Sequence, residues 1–334
     1  MESNAKDYWI GFDLGGTKML AEVFDHKFNV VGRCRKKTKG REGKDAGLKR
    51  INLVIAEALE EANLKPSQIA GLGIGCPGPL DLKKGVIREA PNLSWENVPV
   101  RSSIEDAFGF SVQVGNDVDF GVYGEYCFGA GKNARCVVGL FPGTGIGGGC
   151  VYEGRILRGT NCTCMEIGHI PLSIGGALDG AGNAGTLESA ASRLAISGAA
   201  AQAVFRGQAP HLQEIAGTDL SQIRSAQLAD AIDRGDKVIE SIVRQSAEYM
   251  AIGVVTMIHL LAPDIVVLGG GLVEAMPDLY VSTITKETNR RVLSSMKDSY
   301  QIVPAKLGDQ ATVMGAAAAA KQSVQDLDEV ARLA

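Results

Sequence analysis

The chain has no surplus of basic charge: 34 lysines and arginines stand against 38 aspartates and glutamates, a net −4. Nucleic acid is therefore not an expected partner, because binding to a phosphate backbone rests on a basic footprint. A long apolar run is also missing. The longest, around Met250 to Leu261, is too short to cross a bilayer and contains His259, so it reads as a buried helix and no membrane partner is expected. No secretory leader is expected either, since only seven residues precede the first apolar strand and they include Glu2, Lys6 and Asp7. The seven cysteines are odd in number and most are scattered singly, at Cys34, Cys76, Cys127, Cys136 and Cys150. That favours free thiols in a reducing cytoplasm over a disulfide framework.

What is present is the composition of a soluble globular protein, 45% hydrophobic and 22% charged. At 334 residues it is too long for one ordinary core, and two domains are expected. "YWIGFDLGGTKMLAEVFD" reads as strand, glycine turn, strand, and "NVVGRCRKKT" as a third strand. Helical spacing follows from Lys44 to Ala62, with Ile51, Val54, Ile55, Ala58 and Leu59 on one side. After the strands "AGLGIGCPGP" and "VQVGND", the pattern restarts: "CVVGLFPGTGIGGGCVYEG" is again strand, glycine turn, strand. Helices are expected near Leu187–Ala201, Ala226–Arg234, Val238–Leu261 and Pro277–Val292, with a buried strand at "DIVVLGGG". A short strand at Gln301–Pro304 and an alanine-rich helix from Ala311 to Lys321 close the chain, followed by a polar tail. No low-complexity linker separates the halves. Two units that each open with a strand–glycine turn–strand hairpin suggest two related α/β domains facing a cleft.

Three glycine turns stand at strand ends. The first, Gly15, Gly16, Thr17 and Lys18, follows Asp13. Glycines let backbone N–H groups approach phosphate oxygens, Thr17 adds a hydroxyl, and a carboxylate beside them suits a hydrated Mg²⁺. A tight hairpin carrying an Asp is the plainer alternative. It is not a Walker A loop, because no Gly-Lys-Ser/Thr follows at the required spacing. The second, with Gly143, Thr144 and Gly145, formally matches GxGxxG, yet a strand rather than a helix follows, so a hairpin aimed at phosphates fits better than a dinucleotide fold. The third, Gly269, Gly270 and Gly271, ends a buried strand and serves either a nucleoside face or a helix entry. Together the turns argue for a bound nucleotide. Asn116 and Asp117 follow an apolar strand, where Asp117 can take a hydroxyl proton or simply belong to a helix cap.

"DLGGTK", "GIGCPGPLD", "NLSW", "GNDVDFGVYGE", "PGTGIGGG", "EIGH", "TLE", "LGGG" and "GAAAAA" occur in the order found in the ROK family, which this chain resembles from Trp9 to about Lys321. Those proteins are sugar kinases and sugar-responsive repressors of the actin-like ATPase fold. The resemblance implies a two-domain, ribonuclease H-like α/β fold with a central cleft, divided as residues 1–118 plus 312–334 and residues 119–311. It implies ATP and Mg²⁺ at Asp13, and Asp117 as the base that activates a hexose hydroxyl. Sugar contacts are implied for Asn116, Asp117, Glu166, His169 and Glu188; glucose is the default sugar and a homodimer is plausible.

The chain departs from the family pattern in two places. Asp179, Ala181 and Thr186 stand where the family carries zinc-binding cysteines, so a zinc-free loop ordered by side-chain hydrogen bonds is expected, leaving His169 to face the sugar. Cys162 and Cys164 are the remaining thiols near His169. Asp119 is an added carboxylate that either raises the pKa of Asp117 or points into solvent. The few residues before the first strand leave no room for a DNA-reading helix, which makes a repressor the weaker reading; a sugar sensor without turnover is the other.

Overall fold

The computed structural model describes residues 7–159 and 164–333, the side chains of 327–333 excepted. The chain forms two compact units. One holds the described residues up to Asn133, those between Ile156 and Cys164, and those from Asp309 onward; the other is Ala134–Arg155 with Met165–Gly308. The first boundary thus falls after Asn133, not at 118/119, which would cut through a helix.

The first unit is built from β1 (Tyr8–Leu14), β2 (Lys18–Phe24), β3 (Val30–Lys37), α1 (Lys44–Glu61), β4 (Ile69–Cys76), β5 (Leu80–Asp81), β6 (Val86–Ala90), β7 (Trp95–Val98), α2 (Val100–Phe108), β8 (Ser111–Asn116) and α3 (Asp117–Phe128). The second contains β9 (Cys136–Pro142), β10 (Ile146–Tyr152), β11 (Arg155–Ile156), α4 (Leu187–Ala191), α5 (Arg193–Phe205), α6 (Pro210–Ala216), α7 (Ser225–Asp233), α8 (Lys237–Leu261), β12 (Ile265–Leu268), α9 (Gly270–Ala275), α10 (Pro277–Arg291) and β13 (Gln301–Pro304). The chain then returns to the first unit as α11 (Ala311–Leu333).

The two main sheets share one plan. In the first the order is β3-β2-β1-β4-β8, with β1 antiparallel to β2 and parallel to β4, and β4 parallel to β8. In the second it is β11-β10-β9-β12-β13, with β9 antiparallel to β10 and parallel to β12, which is parallel to β13. Each sheet therefore opens with a hairpin around a glycine turn and continues with parallel strands entered through helices, as the two sequence hairpins suggested.

The strands entering the sheet interiors carry runs of Val, Ile, Leu and Phe, which suits parallel strands covered on both faces. Around β12 the core of the second unit is formed by α8, whose Ile239, Val243, Met250, Val254 and Ile258 recur at helical spacing and are fully buried. In the first unit, α11 presses its small residues directly on the sheet. A Cβ on Gly11 of β1 would lie 1.8 Å from the Val313 carbonyl oxygen, and one on Gly73 of β4 would lie 1.9 Å from that of Ala316. The alanine run and these glycines are thus one device that brings helix and sheet backbones together. The helix continues past Lys321 to Leu333, because the polar tail contains no glycine or proline to stop it.

Three features lie outside the sequence expectation: the antiparallel sheet β5-β6-β7, α2 and α6. The strands of that sheet are two to five residues long, too short to show a period. Trp95 of β7 is an anchor: it is buried and its indole N–H donates to Gly40 O at 3.1 Å.

Candidate functional site

Asp13 and Asp117 are brought together by strand register. Asp13 on β1 pairs with Gly75 on β4, Gly75 pairs with Gly115 on β8, and Asp117 follows two residues later at the start of α3. All three strands are parallel and present their carboxyl ends here, the place where open α/β sheets receive ligands. Gly75 leaves the gap open, since a Cβ on it would come within 3.2 Å of the Asp117 Cα. From α11, the Thr312 hydroxyl donates to the Asp117 carbonyl at 3.2 Å.

Burial pushes the Asp13 carboxyl up to about 7, and the neighbouring Asp117 charge adds to the rise against the opposing Lys18 and Arg35. Cys76, fully buried at the end of β4, is also pushed well up, by burial first and then by the charges of Asp117 and Asp13.

Gly15, Gly16, Thr17 and Lys18 form the β1–β2 turn. Gly15 N donates to Lys18 O at 3.0 Å, and Thr38 closes the turn by donating through its hydroxyl to Gly15 O at 2.7 Å. Gly16 lies beside Asn92, whose Cβ is 3.7 Å from where a side chain on Gly16 would begin. Lys18 is held by Asp309, at 2.8 and 2.9 Å, and Arg35 binds the same carboxylate. The ammonium expected at a phosphate thus ties the hairpin to the segment that enters α11.

Asn116 is the N-cap of α3: its Oδ1 accepts from Val118 N at 2.8 Å and from Asp119 N at 3.1 Å. That leaves its amide nitrogen as the half suited to a ligand hydroxyl. Asp119 is buried rather than pointing into solvent.

In the second unit, Gly143, Thr144 and Gly145 form the β9–β10 turn, closed by Gly143 N donating to Gly145 O at 2.8 Å. The hairpin rules out a helix directly after this turn, as expected. Gly269, Gly270 and Gly271 lead from β12 into α9, so the cluster is a helix entry. Gly270 has φ +79 and sits against β9, where a Cβ would lie 2.8 Å from Pro142 O.

Glu166, His169 and Glu188 sit at the ends of one folded loop. Glu166 is exposed and starts the short 3₁₀ turn Ile167–His169. Glu188, in the first turn of α4, spreads its carboxylate over two backbone amides: Oε2 accepts from Ile146 N and Oε1 from Gly180 N, both at 2.9 Å. The centre of the loop is Asp179. Its oxygens accept from Ala181 N and Asn183 N, each at 2.9 Å, and from the Thr186 hydroxyl at 3.0 Å, and meet His169 Nδ1 at 2.8 Å. Against burial, which raises it, these contacts hold the Asp179 carboxyl well below its usual range. Burial lowers the His169 pKa, but Asp179, Glu188 and Glu166 together raise it. His169 is therefore not wholly free: Nδ1 faces Asp179, and only its other ring nitrogen is left for a ligand.

Among the described residues no group of three or more His, Cys, Asp or Glu side chains is arranged to hold a metal ion. Cys162 lies outside the described residues, and Cys164 is half-buried. One residue that sequence reasoning missed is Arg193. It starts α5, and its guanidinium donates to the Thr144 hydroxyl at 2.8 Å. No spacing rule links the two positions, since the contact depends on how α5 docks against the turn.

Residues 9–323 match the ROK family model, and the chain belongs to that family. Its α/β fold is that of the actin-like ATPases. It is similar to a glucokinase of Thermotoga maritima, 29% identical across 94% of this chain and 98% of that one. It is also similar to a xylose repressor of Caldicellulosiruptor bescii, 27% identical over 92% of this chain and 76% of the repressor. Among solved structures, a ROK family glucokinase from Streptomyces griseus in complex with glucose and AMPPNP superposes with a TM-score of 0.81, at 29% identity over 94% of this chain and 99% of that one.

Proposed function

We propose that the chain is an ATP-dependent sugar kinase that transfers the terminal phosphoryl group of ATP to a hexose hydroxyl, with glucose the first sugar to test. The observation that carries the reading is the pair Asp13 and Asp117 at the carboxyl ends of β1 and β8, the parallel strands on either side of β4, beside the β1–β2 glycine turn. Two neighbouring carboxylates, one of them raised to about 7, suit a site completed by a cation.

Asp117 takes the proton of the attacking hydroxyl as its oxygen approaches phosphorus. Asp13 is the residue that would hold Mg²⁺, and the ion would supply charge neutralisation on the phosphates. Backbone amides of Gly16 and Gly145, with the Thr17 and Thr144 hydroxyls, donate to phosphate oxygens from turns that Gly15 and Gly143 close through their own N–H groups, while Gly269, Gly270 and Gly271 give a nucleoside close access to the backbone. Glu166, Glu188 and the outer ring nitrogen of His169 accept sugar hydroxyls, and the Asn116 amide donates to one. The hydrogen bonds gathered on Asp179 support a sugar loop that is ordered without zinc. A cytoplasmic location accords with free cysteines, and among the described residues no helix is long and apolar enough to cross a membrane.

The test is ADP release from Mg-ATP across a panel of hexoses and N-acetylhexosamines. A sugar that stimulates release far above the sugar-free rate establishes the kinase and names its substrate. The similarity to a xylose repressor favours a second reading, a sugar sensor. A sugar that raises the melting temperature without stimulating ADP release selects that reading instead.

A further inference from the structure

Arg193 and Arg224 are neighbouring cations, and among the described residues neither has an acidic partner. Ser192 caps α5 by accepting from Ala195 N at 3.2 Å, which sets Arg193 at the helix start. From there its backbone N donates to Gly143 O at 2.9 Å, Nη2 to the Thr144 hydroxyl at 2.8 Å, and Nη1 to Ile223 O at 3.5 Å. Arg193 therefore ties the β9–β10 turn to the segment that carries Arg224. Arg224 in turn precedes Ser225, whose hydroxyl is 3.4 Å from where a Cβ on Gly271 would lie. The Arg193 guanidinium thus adjoins the second glycine turn, and Arg224 is the chain neighbour of the residue that adjoins the third.

Among the described residues neither guanidinium forms an ion pair with a carboxylate. Burial lowers the pKa of Arg193, and the nearby Arg224 charge lowers it further. Two like charges held together, one of them half-buried, are unfavourable until an anion joins them. Among the described residues the only side-chain acceptor Arg193 meets is the Thr144 hydroxyl, in a turn whose amides suit phosphate. Planar guanidinium groups bind phosphate oxygens in pairs, which makes a phosphate chain the best complement to this surface.

We propose that Arg193 and Arg224 bind the phosphate chain of the nucleotide, with Arg193 also positioning the Thr144 hydroxyl toward it. This rests on the kinase reading above. Both arginines and the two glycine turns lie in the same compact unit, so the subsite is assembled within that unit alone.

The test is isothermal calorimetry of the full chain with Mg-ADP and with adenosine, for wild type, Arg193→Gln, Arg193→Lys and Arg224→Gln. Each glutamine variant is expected to weaken Mg-ADP binding by about tenfold, the scale of one lost charge-assisted hydrogen bond, while adenosine binding stays at its wild-type value. Arg193→Lys should recover part of the loss. Arg224 donates to the Ser221 carbonyl and makes no bond to the turn, so a loss in Arg224→Gln does not arise from a loosened turn. Equal losses for Mg-ADP and adenosine, or Mg-ADP binding unchanged in both glutamine variants, would overturn the inference. A wild-type chain that binds no Mg-ADP would overturn the kinase reading itself, and this inference with it.

Discussion

The carboxylate of Glu188 occupies the space that a side chain on Gly145 would need: a Cβ there would lie 2.3 Å from Oε2. The same oxygen accepts from Ile146 N, the first residue after the turn, while Oε1 holds Gly180 in the 166–188 loop. One side chain thereby couples the turn assigned to phosphate with the loop assigned to sugar.

Glu188→Gln should loosen both segments. The amide offers a single acceptor oxygen where two backbone N–H groups now bind, leaving one donor unsatisfied at a cost of about 1–3 kcal/mol. Gly145→Ala should be at least as damaging, because its methyl meets the carboxylate head-on. Urea denaturation of the two variants measures both effects, and a loss below about 0.5 kcal/mol in Glu188→Gln contradicts the bridging role.

Asp179 should govern the order of the sugar loop. Asp179→Ala removes the acceptor for two backbone amides, a hydroxyl and His169, so sugar affinity and melting temperature should both fall. The pH dependence has a definite sign. The raised His169 pKa contributes stability that is full below its unfolded value near 6.5 and is lost as pH rises through the folded value. The depressed Asp179 carboxyl contributes above its unfolded value near 3.8 and loses this as pH falls through the folded value. The melting-temperature gap between wild type and Asp179→Ala should thus be widest near about pH 5–6 and narrow toward about pH 9. Dialysis against a zinc chelator, with Mg²⁺ restored, should leave wild-type melting temperature and turnover unchanged.

Asp13 should trade stability for function. Its folded carboxyl is at about 7 against 3.8 unfolded, so the fold holds a proton that the unfolded chain has already released. The resulting penalty begins above pH 3.8, grows as pH rises, and is complete above about 7. Asp13→Asn removes it. In the absence of divalent metal the variant should be more stable than wild type at about pH 8, by about 1–3 kcal/mol after allowing for partial solvent access, and the gain should shrink at about pH 5. Turnover should be lost. A variant no more stable than wild type at the higher pH contradicts the strained carboxylate.

Much of the fold was legible because it is periodic or punctuated. The two hairpins declared themselves through glycine turns between apolar strands, and α8 through its long buried stripe. Asn116 and Asp117 were legible as a strand end. By contrast, the ion pair between Lys18 and Asp309 joins positions 291 apart, and the contact of Arg193 with Thr144 joins positions 49 apart. No local pattern encodes such pairs, which exist only once helices have docked. The part played by Asp179 was legible only as missing cysteines, since a carboxylate gathering four hydrogen bonds has no sequence spacing of its own.

In the proposed reaction Asp117 is the base. That role is tested most directly by sugar-dependent ADP release from Mg-ATP in Asp117→Asn, measured beside calorimetric binding of the same sugar. Turnover should fall by about 10²–10⁴-fold with sugar binding largely kept. Turnover near the wild-type rate would contradict it and remove Asp117 from the proton transfer.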